Sequence, residues 1–177
     1  YFPTEISALR VFEPRYLLLI ADSILNEKNF IVSSSLSDKY VIGSEVEIVE
    51  HQDISNAEQL VIIKCVKLYK INTIDLDREY PYCLAEEYTE IGLPPTIDEL
   101  ISLEKDITKA IAKLVENGMD IELPNYIYDS QNRINKLNEL CIVMPMSINL
   151  RNKIIIENDL YKKYEILKNY TKDINEN

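Results

Sequence analysis

The sequence predicts an α+β protein with a strand-rich first half and a helical second half, and two patterns predict this class. Before residue 93, short runs of β-branched and aromatic residues alternate with polar stretches, as in strands. After residue 93, leucine and isoleucine recur every three or four positions, as in amphipathic helices. The 177 residues, 46% of them hydrophobic, suffice for one domain or two small ones. We therefore expect a strand-rich part, 1–92, and a helical bundle, 93–177.

Five runs in the first part predict strands. Glu45 and Glu47 alternate with two apolar residues, which indicates a sheet with one buried face. The lysines of the longest run are three positions apart, and this break in alternation predicts a bulge or a bend. The polar stretch 51–59 predicts a hairpin loop. The predicted strands are Glu5–Phe12, Phe30–Leu36, Glu45–Val49, Leu60–Ile74 and Tyr82–Tyr88.

Two helices have clear start signals. Pro14, followed by apolar residues at helical spacing, predicts the single helix of the first part over residues 14–27. Thr96 and Glu99 have the spacing of a capping box, and the apolar positions after them predict a helix of about 20 residues that stops near Gly118.

The remaining chain predicts three shorter helices. One amphipathic helix ends before Pro145, and Ser147 and Asp159 are the expected caps of the next two. Residues 119–131 contain a proline and clustered polar residues, which favour a loop or a short irregular helix.

Composition excludes several classes of function. The chain has 30 acidic and 19 basic residues, a net charge of −11, and neither half is basic, which argues against a nucleic-acid partner. The three glycines are too far apart for a phosphate-binding loop, and a single histidine, His51, excludes multi-histidine metal sites. We therefore expect no cofactor and no metal.

Two further features of the sequence predict where in the cell the protein is found. No apolar run approaches the length of a membrane span, so a membrane partner is not expected. The three cysteines are odd in number and lie in apolar surroundings without a CxxC spacing, which favours free thiols in a reducing environment. The expected location is the cytoplasm.

No residue pattern predicts a catalytic site. Ser33, Ser34 and Ser35 lie in a strand-like run without the glycines of a nucleophile elbow. His51 lies in the predicted hairpin loop and is more simply a surface residue than the partner of a cysteine. Paired carboxylates are numerous, as expected in any acidic chain.

Binding candidates are sulfur-containing and aromatic side chains. Met144 and Met146 flank a proline, and flexible thioethers adapt to varied partners, although filling a gap between helices is the commoner role. Tyr80 and Tyr82 form one local concentration of tyrosine and Tyr126–Tyr128 another, and each could anchor a peptide or be half-buried packing.

The segment Phe12-Glu13-Pro14-Arg15-Tyr16 (FEPRY) resembles a family. It follows Phe2-Pro3 as in the opening phrase LFPG…LPLxIFEPRY of the amino-terminal domain of Lon proteases. That family's glycine in LFPG is matched here by Thr4. Later parts of the chain are similar in order to that family's VGTxAxI, LLVRGxxRFRV and YxxAEVE strands and to its closing helices. The matching ranges are 42–48, 60–71, 82–87 and 134–167.

The resemblance implies a PUA-like, six-stranded β pseudobarrel with one helix, followed by a helical bundle. In full Lon proteases this module recognises substrate polypeptides and helps to assemble the ring. The ATPase and Ser-Lys peptidase modules of Lon are not in these residues. The resemblance therefore implies a module with a part in proteolysis and protein quality control that is not itself an enzyme.

FEPRY also has a physical interpretation. Glu13 is expected to cap the helix and to pair with Arg15, Pro14 presets the first turn, and Phe12 and Tyr16 are expected to clasp the barrel. The role predicted for the motif is structural.

The function predicted is a non-catalytic polypeptide-binding module that recognises unfolded or specific proteins. Two alternatives stay open. One is a small-molecule hydrolase or ligand sensor that uses a pocket in the barrel, and the other is an oligomerisation module.

Overall fold

A computed structural model describes residues 1–35, 41–55, 57–121 and 132–176. The chain separates into two compact units, Tyr1–Tyr88 and Thr89–Asn177. Within the described residues, the first unit holds five strands and one helix and the second holds four helices. The predicted α+β class is confirmed. The sequence division places residues 89–92 with the strands. Two of them, Glu90 and Ile91, bond to the last helix and to the residue Asn158 before it.

The first unit is built on one antiparallel sheet. Its strand order is β1-β4-β3-β2, and β5 pairs with the second half of β4 beyond the stretch that β1 occupies. In the described residues the sheet has five strands in an open order rather than the six of the expected pseudobarrel. In the strand order, β1 is the first strand and β2 the last, and we call these two strands the ends of the sheet. The strands are β1 (Ile6–Val11), β2 (Phe30–Val32), β3 (Val41–Ser55), β4 (Glu58–Asp75) and β5 (Tyr82–Glu87).

The hairpin between β3 and β4 is tighter than predicted. The loop expected over 51–59 is wrong, because β3 continues to Ser55 and β4 begins at Glu58. Asp53 lies opposite Gln59, whose Nε2 donates to the Asp53 carboxylate at 2.9 Å. The β3 residues 49–55 are exposed, and the β4 residues 58–60 are half-buried, so the hairpin extends into solvent mainly on the side of β3.

The predicted bulge in the long strand is confirmed. Glu45 lies opposite Lys67 but Val46 lies opposite Cys65, so that Val66 has no residue across from it. A second shift lies between Ile71 and Thr73 in the pairing with β5. Extra residues of this kind bend a strand and increase its twist, which curves the sheet.

β2 is shorter than predicted. It ends at Val32, and the next residue begins a local turn in which the Ser33 hydroxyl donates to the Ser35 carbonyl at 2.7 Å. Serine hydroxyls compete in this way with the backbone pairing of a strand. Leu36, the predicted last residue, lies outside the described residues.

The helix of the first unit, α1 (Pro14–Asn26), is confirmed, with Pro14 in its first turn. It ends at Glu27, which adopts the left-handed conformation with φ of 51°. Ile20 and Ser23 are its buried residues.

Thr4 is strained. Its φ is 74°, and a β-branched residue in the left-handed region is rare because its Cβ crowds the backbone. The turn is held by the Thr4 N–H, which donates to the Cys65 carbonyl at 2.9 Å. Thr4 therefore occupies a position whose backbone conformation favours glycine, the residue that the LFPG motif has there.

Thr4→Gly should raise the free energy of unfolding by roughly 0.5–1 kcal/mol, because relief of left-handed strain exceeds the entropy cost of glycine. Urea denaturation measures the change. Thr4→Ala, which keeps a Cβ, is the matched control and should give no comparable gain. A Thr4→Gly protein no more stable than the parent would contradict strain at this turn.

The second unit contains α2 (Ile97–Glu116), α3 (Arg133–Val143), α4 (Ile148–Ile156) and α5 (Leu160–Glu176). The capping box is confirmed: the Glu99 N–H donates to the Thr96 hydroxyl, and the Glu99 carboxylate accepts from the Thr96 N–H. Gly118, with φ of 89°, follows the end of α2, as predicted. Its N–H and that of Met119 donate back into the last turn in a Schellman arrangement.

Side-chain oxygens also cap the later helices. Ser147 accepts from the Leu150 N–H at 3.3 Å, and Asp159 accepts from the first turn of α5, so both predicted caps are confirmed. Asn132 caps α3. No helix among the described residues is long and apolar enough to cross a membrane. Leucine, isoleucine and tyrosine side chains form the core of this unit, among them Leu103, Ile107, Ile111, Leu137, Leu140, Tyr164 and Leu167.

Candidate functional site

The first unit contains an apolar cavity of about 360 Å³ at the two ends of its sheet. β1 and β2 both line it, together with the first turns of α1. Because these strands are the opposite ends of the sheet order, the sheet curves far enough to bring both ends to one cavity. Its apolar lining includes Leu9, Val11, Phe12, Leu19, Phe30 and Ile31.

Local sequence periodicity places these side chains. Alternation along β1 directs Leu9 and Val11 to the cavity side. On α1, Tyr16, Leu19 and Ile20 line the cavity at the three- and four-residue spacing of one helix face. Sequence reasoning missed β1, β2 and this helix face as a site, although their apolar residues could have indicated it.

Phe12 lies at the rim. The prediction that it clasps the barrel is wrong, because its ring is 64% exposed. Tyr16 is half-buried and lines the cavity. An exposed phenyl group beside an apolar cavity is a feature of docking surfaces.

Glu13 pairs with Arg15 but does not cap the helix. Glu13 is at the N-cap position, yet its side chain makes no capping hydrogen bond. Its carboxylate instead accepts from Arg15 Nε at 3.1 Å, and the guanidinium also lies 4.6 Å from the centre of the Tyr16 ring. Both side chains are 47% exposed, so the pair contributes at most about 1 kcal/mol.

The second charged lining residue, Arg10, is also in an ion pair. It donates to Glu58 across the β1–β4 pair, and this hydrogen bond raises the pKa of Arg10 and lowers the pKa of Glu58. Both charged side chains of the lining, Arg10 and Glu13, are therefore neutralised by neighbours. The interior of the cavity presents mainly apolar surface.

Tyr80 and Tyr82 stack on each other near the cavity. Their ring centres are 5.1 Å apart and their planes differ by 13°. Tyr80 is 9% exposed and donates to Asp22 at 2.9 Å, and its hydrogen bonds to Tyr82 and Asp22 raise the pKa of Tyr80. Tyr82 is 44% exposed, and Pro81 between them lines the cavity. Of the two candidates, Tyr82 presents the larger accessible surface.

The methionines belong to the second unit and differ in exposure. Met144 is 1% exposed and packs in the helical core, which is the gap-filling role. Met146 is half-buried. Between them, Pro145 accepts a hydrogen bond from the Tyr170 hydroxyl at 3.0 Å. The other tyrosine candidates, Tyr126–Tyr128, lie outside the described residues.

Groups considered for catalysis are not assembled in the described residues. Burial raises the pKa of the Cys65 thiol to about 11 and that of Cys141 to about 12, so both are protonated at neutral pH. His51 is exposed on β3 rather than in a loop. The part of the chain described here contains no group of three residues arranged to hold a metal ion.

The described residues thus form a curved antiparallel sheet with an apolar cavity at its ends, followed in the chain by a helical unit. Residues 1–172 match the family described as the ATP-dependent protease La (LON) substrate-binding domain. The chain belongs to this family.

Solved structures with the same fold include two Lon domains. One is a Lon N-terminal domain protein from Xanthomonas campestris, with 18% identity, a TM-score of 0.63, and coverage of 96% of this chain and 91% of that one. The other is the N-terminal domain of Lon protease from the Mycobacterium avium complex, with 13% identity, a TM-score of 0.66, and coverage of 97% and 92%. No curated protein sequence matches the chain.

Proposed function

We propose that this chain is a non-catalytic module that binds unfolded or specific proteins through the cavity of its first unit. The observation that carries the proposal is the apolar cavity with Phe12 exposed at its rim. Unfolded chains expose the apolar side chains that such a cavity accepts, whereas folded proteins bury them. Membership of a family named for substrate binding supports the same function.

Charge favours basic clients. Residues 1–88 contain 8 Lys and Arg against 15 Asp and Glu, a net charge of −7. The negative electrostatic field of this charge attracts segments with lysine or arginine beside their apolar residues. Added salt screens the field and should weaken this attraction.

Phe12→Ala should weaken binding of an unfolded, carboxymethylated protein about tenfold, because it removes an exposed aromatic anchor from the rim of the cavity. Fluorescence anisotropy measures the affinity. Leu25→Ala is the matched control, because Leu25 is 81% exposed on α1 and does not line the cavity. Equal affinity of the two variants and the parent would place binding elsewhere.

Several finer features belong to the same proposal. The chain itself catalyses no reaction, works in the cytoplasm and binds neither nucleic acid nor membranes, and its curved, open sheet is of the PUA-like type. The alternative of a small-molecule hydrolase receives less support, because the charged lining residues are held in ion pairs. Light scattering tests the remaining alternative, self-association.

A further inference from the structure

We propose that the client segment binds in extended form, as a strand added to the free edge of β1, with alternate side chains in the cavity. This inference rests on the proposed function and specifies its binding mode. In the described residues β1 pairs only with β4, and β2 only with β3. Within the part of the chain that the structure describes, the cavity is thus bordered by two strands that each have one unpaired edge.

The hydrogen-bond pattern shows which β1 groups face this edge. The Cys65 N–H donates to the Glu5 carbonyl at 2.8 Å, and the β1–β4 register then runs without a shift. Bonded and non-bonded pairs alternate in an antiparallel ladder. The N–H and C=O groups of Ser7, Leu9 and Val11 therefore point to β4, whereas those of Ala8 and Arg10 point to the free edge.

The side chains are arranged to suit an added strand. Leu9 and Val11 line the cavity, and β2 lines it from the other end of the sheet order. A strand beside β1 would direct every second side chain to the same face as Leu9 and Val11, and so into the cavity. Backbone pairing supplies affinity in this mode, and the pocket selects the side chains.

The chemistry of the edge favours one kind of occupant. The N–H and C=O groups of Ala8 and Arg10, which face away from the one strand that pairs with β1 among the described residues, can bond to an extended polypeptide, whereas a helix has already used its own groups within itself. The lining is apolar and its two charged residues are paired, so the inserted side chains should be apolar. The net charge of −7 in residues 1–88, from 8 basic and 15 acidic residues, favours flanking lysines.

Two comparisons test strand addition, one between two peptides and one between two protein variants. The probe is a fluorescent decapeptide that alternates valine with threonine between lysine ends, and its partner has the same sequence with N-methyl groups on alternate amides. Ala8→Pro removes one free-edge N–H but no bond to β4, because the Ala8 N–H points away from β4. Proline is tolerated at such edge positions. Ala8→Val keeps the N–H and is the control. N-methylation and Ala8→Pro should each weaken binding more than tenfold, and Ala8→Val should not.

Other results separate the binding mode from the function. Equal binding of both peptides, or of Ala8→Pro and Ala8→Val, would overturn strand addition while polypeptide binding stands. Strand addition would also be overturned if the decapeptide did not bind while the same protein still bound an unfolded client in a Phe12-dependent way. Absence of binding to any polypeptide would overturn the proposed function itself. If Ala8→Pro does not melt cooperatively, the N-methylated peptide on the parent protein decides.

Discussion

Replacement of Glu90 by alanine should lower the free energy of unfolding of the helical unit by about 3–5 kcal/mol. Glu90 forms an ion pair with Lys163, whose side chain is only 1% exposed. Without its partner, the ammonium group would be left charged and buried, which costs far more than the loss of a surface pair. Urea denaturation followed by the helical circular dichroism signal measures the change.

Two further variants identify the cause. Glu176→Ala removes an exposed pair with Lys172 on α5, with side chains 64% and 65% exposed, and should cost well under 1 kcal/mol. The double variant Glu90→Leu with Lys163→Met removes both charges and should recover most of the loss. A Glu90→Ala variant as stable as the parent would show that Lys163 finds water or another partner.

Gly43→Ala should lower the free energy of unfolding by about 1–3 kcal/mol, because β3 has no room for a methyl group there. A Cβ on Gly43 would lie 2.3 Å from Ile31 Cγ2 and 3.0 Å from Ile71 Cδ1. Ile31 belongs to β2, a strand of three residues that lines the cavity, so the substitution should also weaken client binding. Thermal melting and fluorescence anisotropy measure the two effects.

A double-mutant cycle isolates this clash. Ile31→Ala removes the group that the new methyl would meet, so Gly43→Ala should cost less in that background than alone. Additive losses would mean that Gly43 acts through backbone freedom rather than through close packing.

Features set by neighbouring residues were predictable from sequence. The Thr96 capping box, the stop at Gly118 and the caps at Ser147 and Asp159 each involve contacts within a few positions, and all four are in place. The bulge in β4 was signalled by its broken alternation. Glu13 is the exception, because Arg15 competes for the carboxylate that would cap the helix.

The site depends on contacts distant in sequence: the apolar residues of its lining were visible in the sequence, but their meeting in one cavity was not. β1 and β2 meet at the cavity only because β3 and β4 pair between them in the sheet order. Hairpin length also escaped prediction, since backbone pairing outweighs the polarity of residues 51–59. Met144 was a binding candidate by chemistry, but tertiary packing buries it.

Amide hydrogen exchange, with and without an unfolded, carboxymethylated protein, tests the central claim that clients bind at the ends of the sheet. A bound client should slow exchange in β1, in β2 and in the first turns of α1, which line the cavity. Protection confined to residues 89–176, or none at all, would contradict the claim.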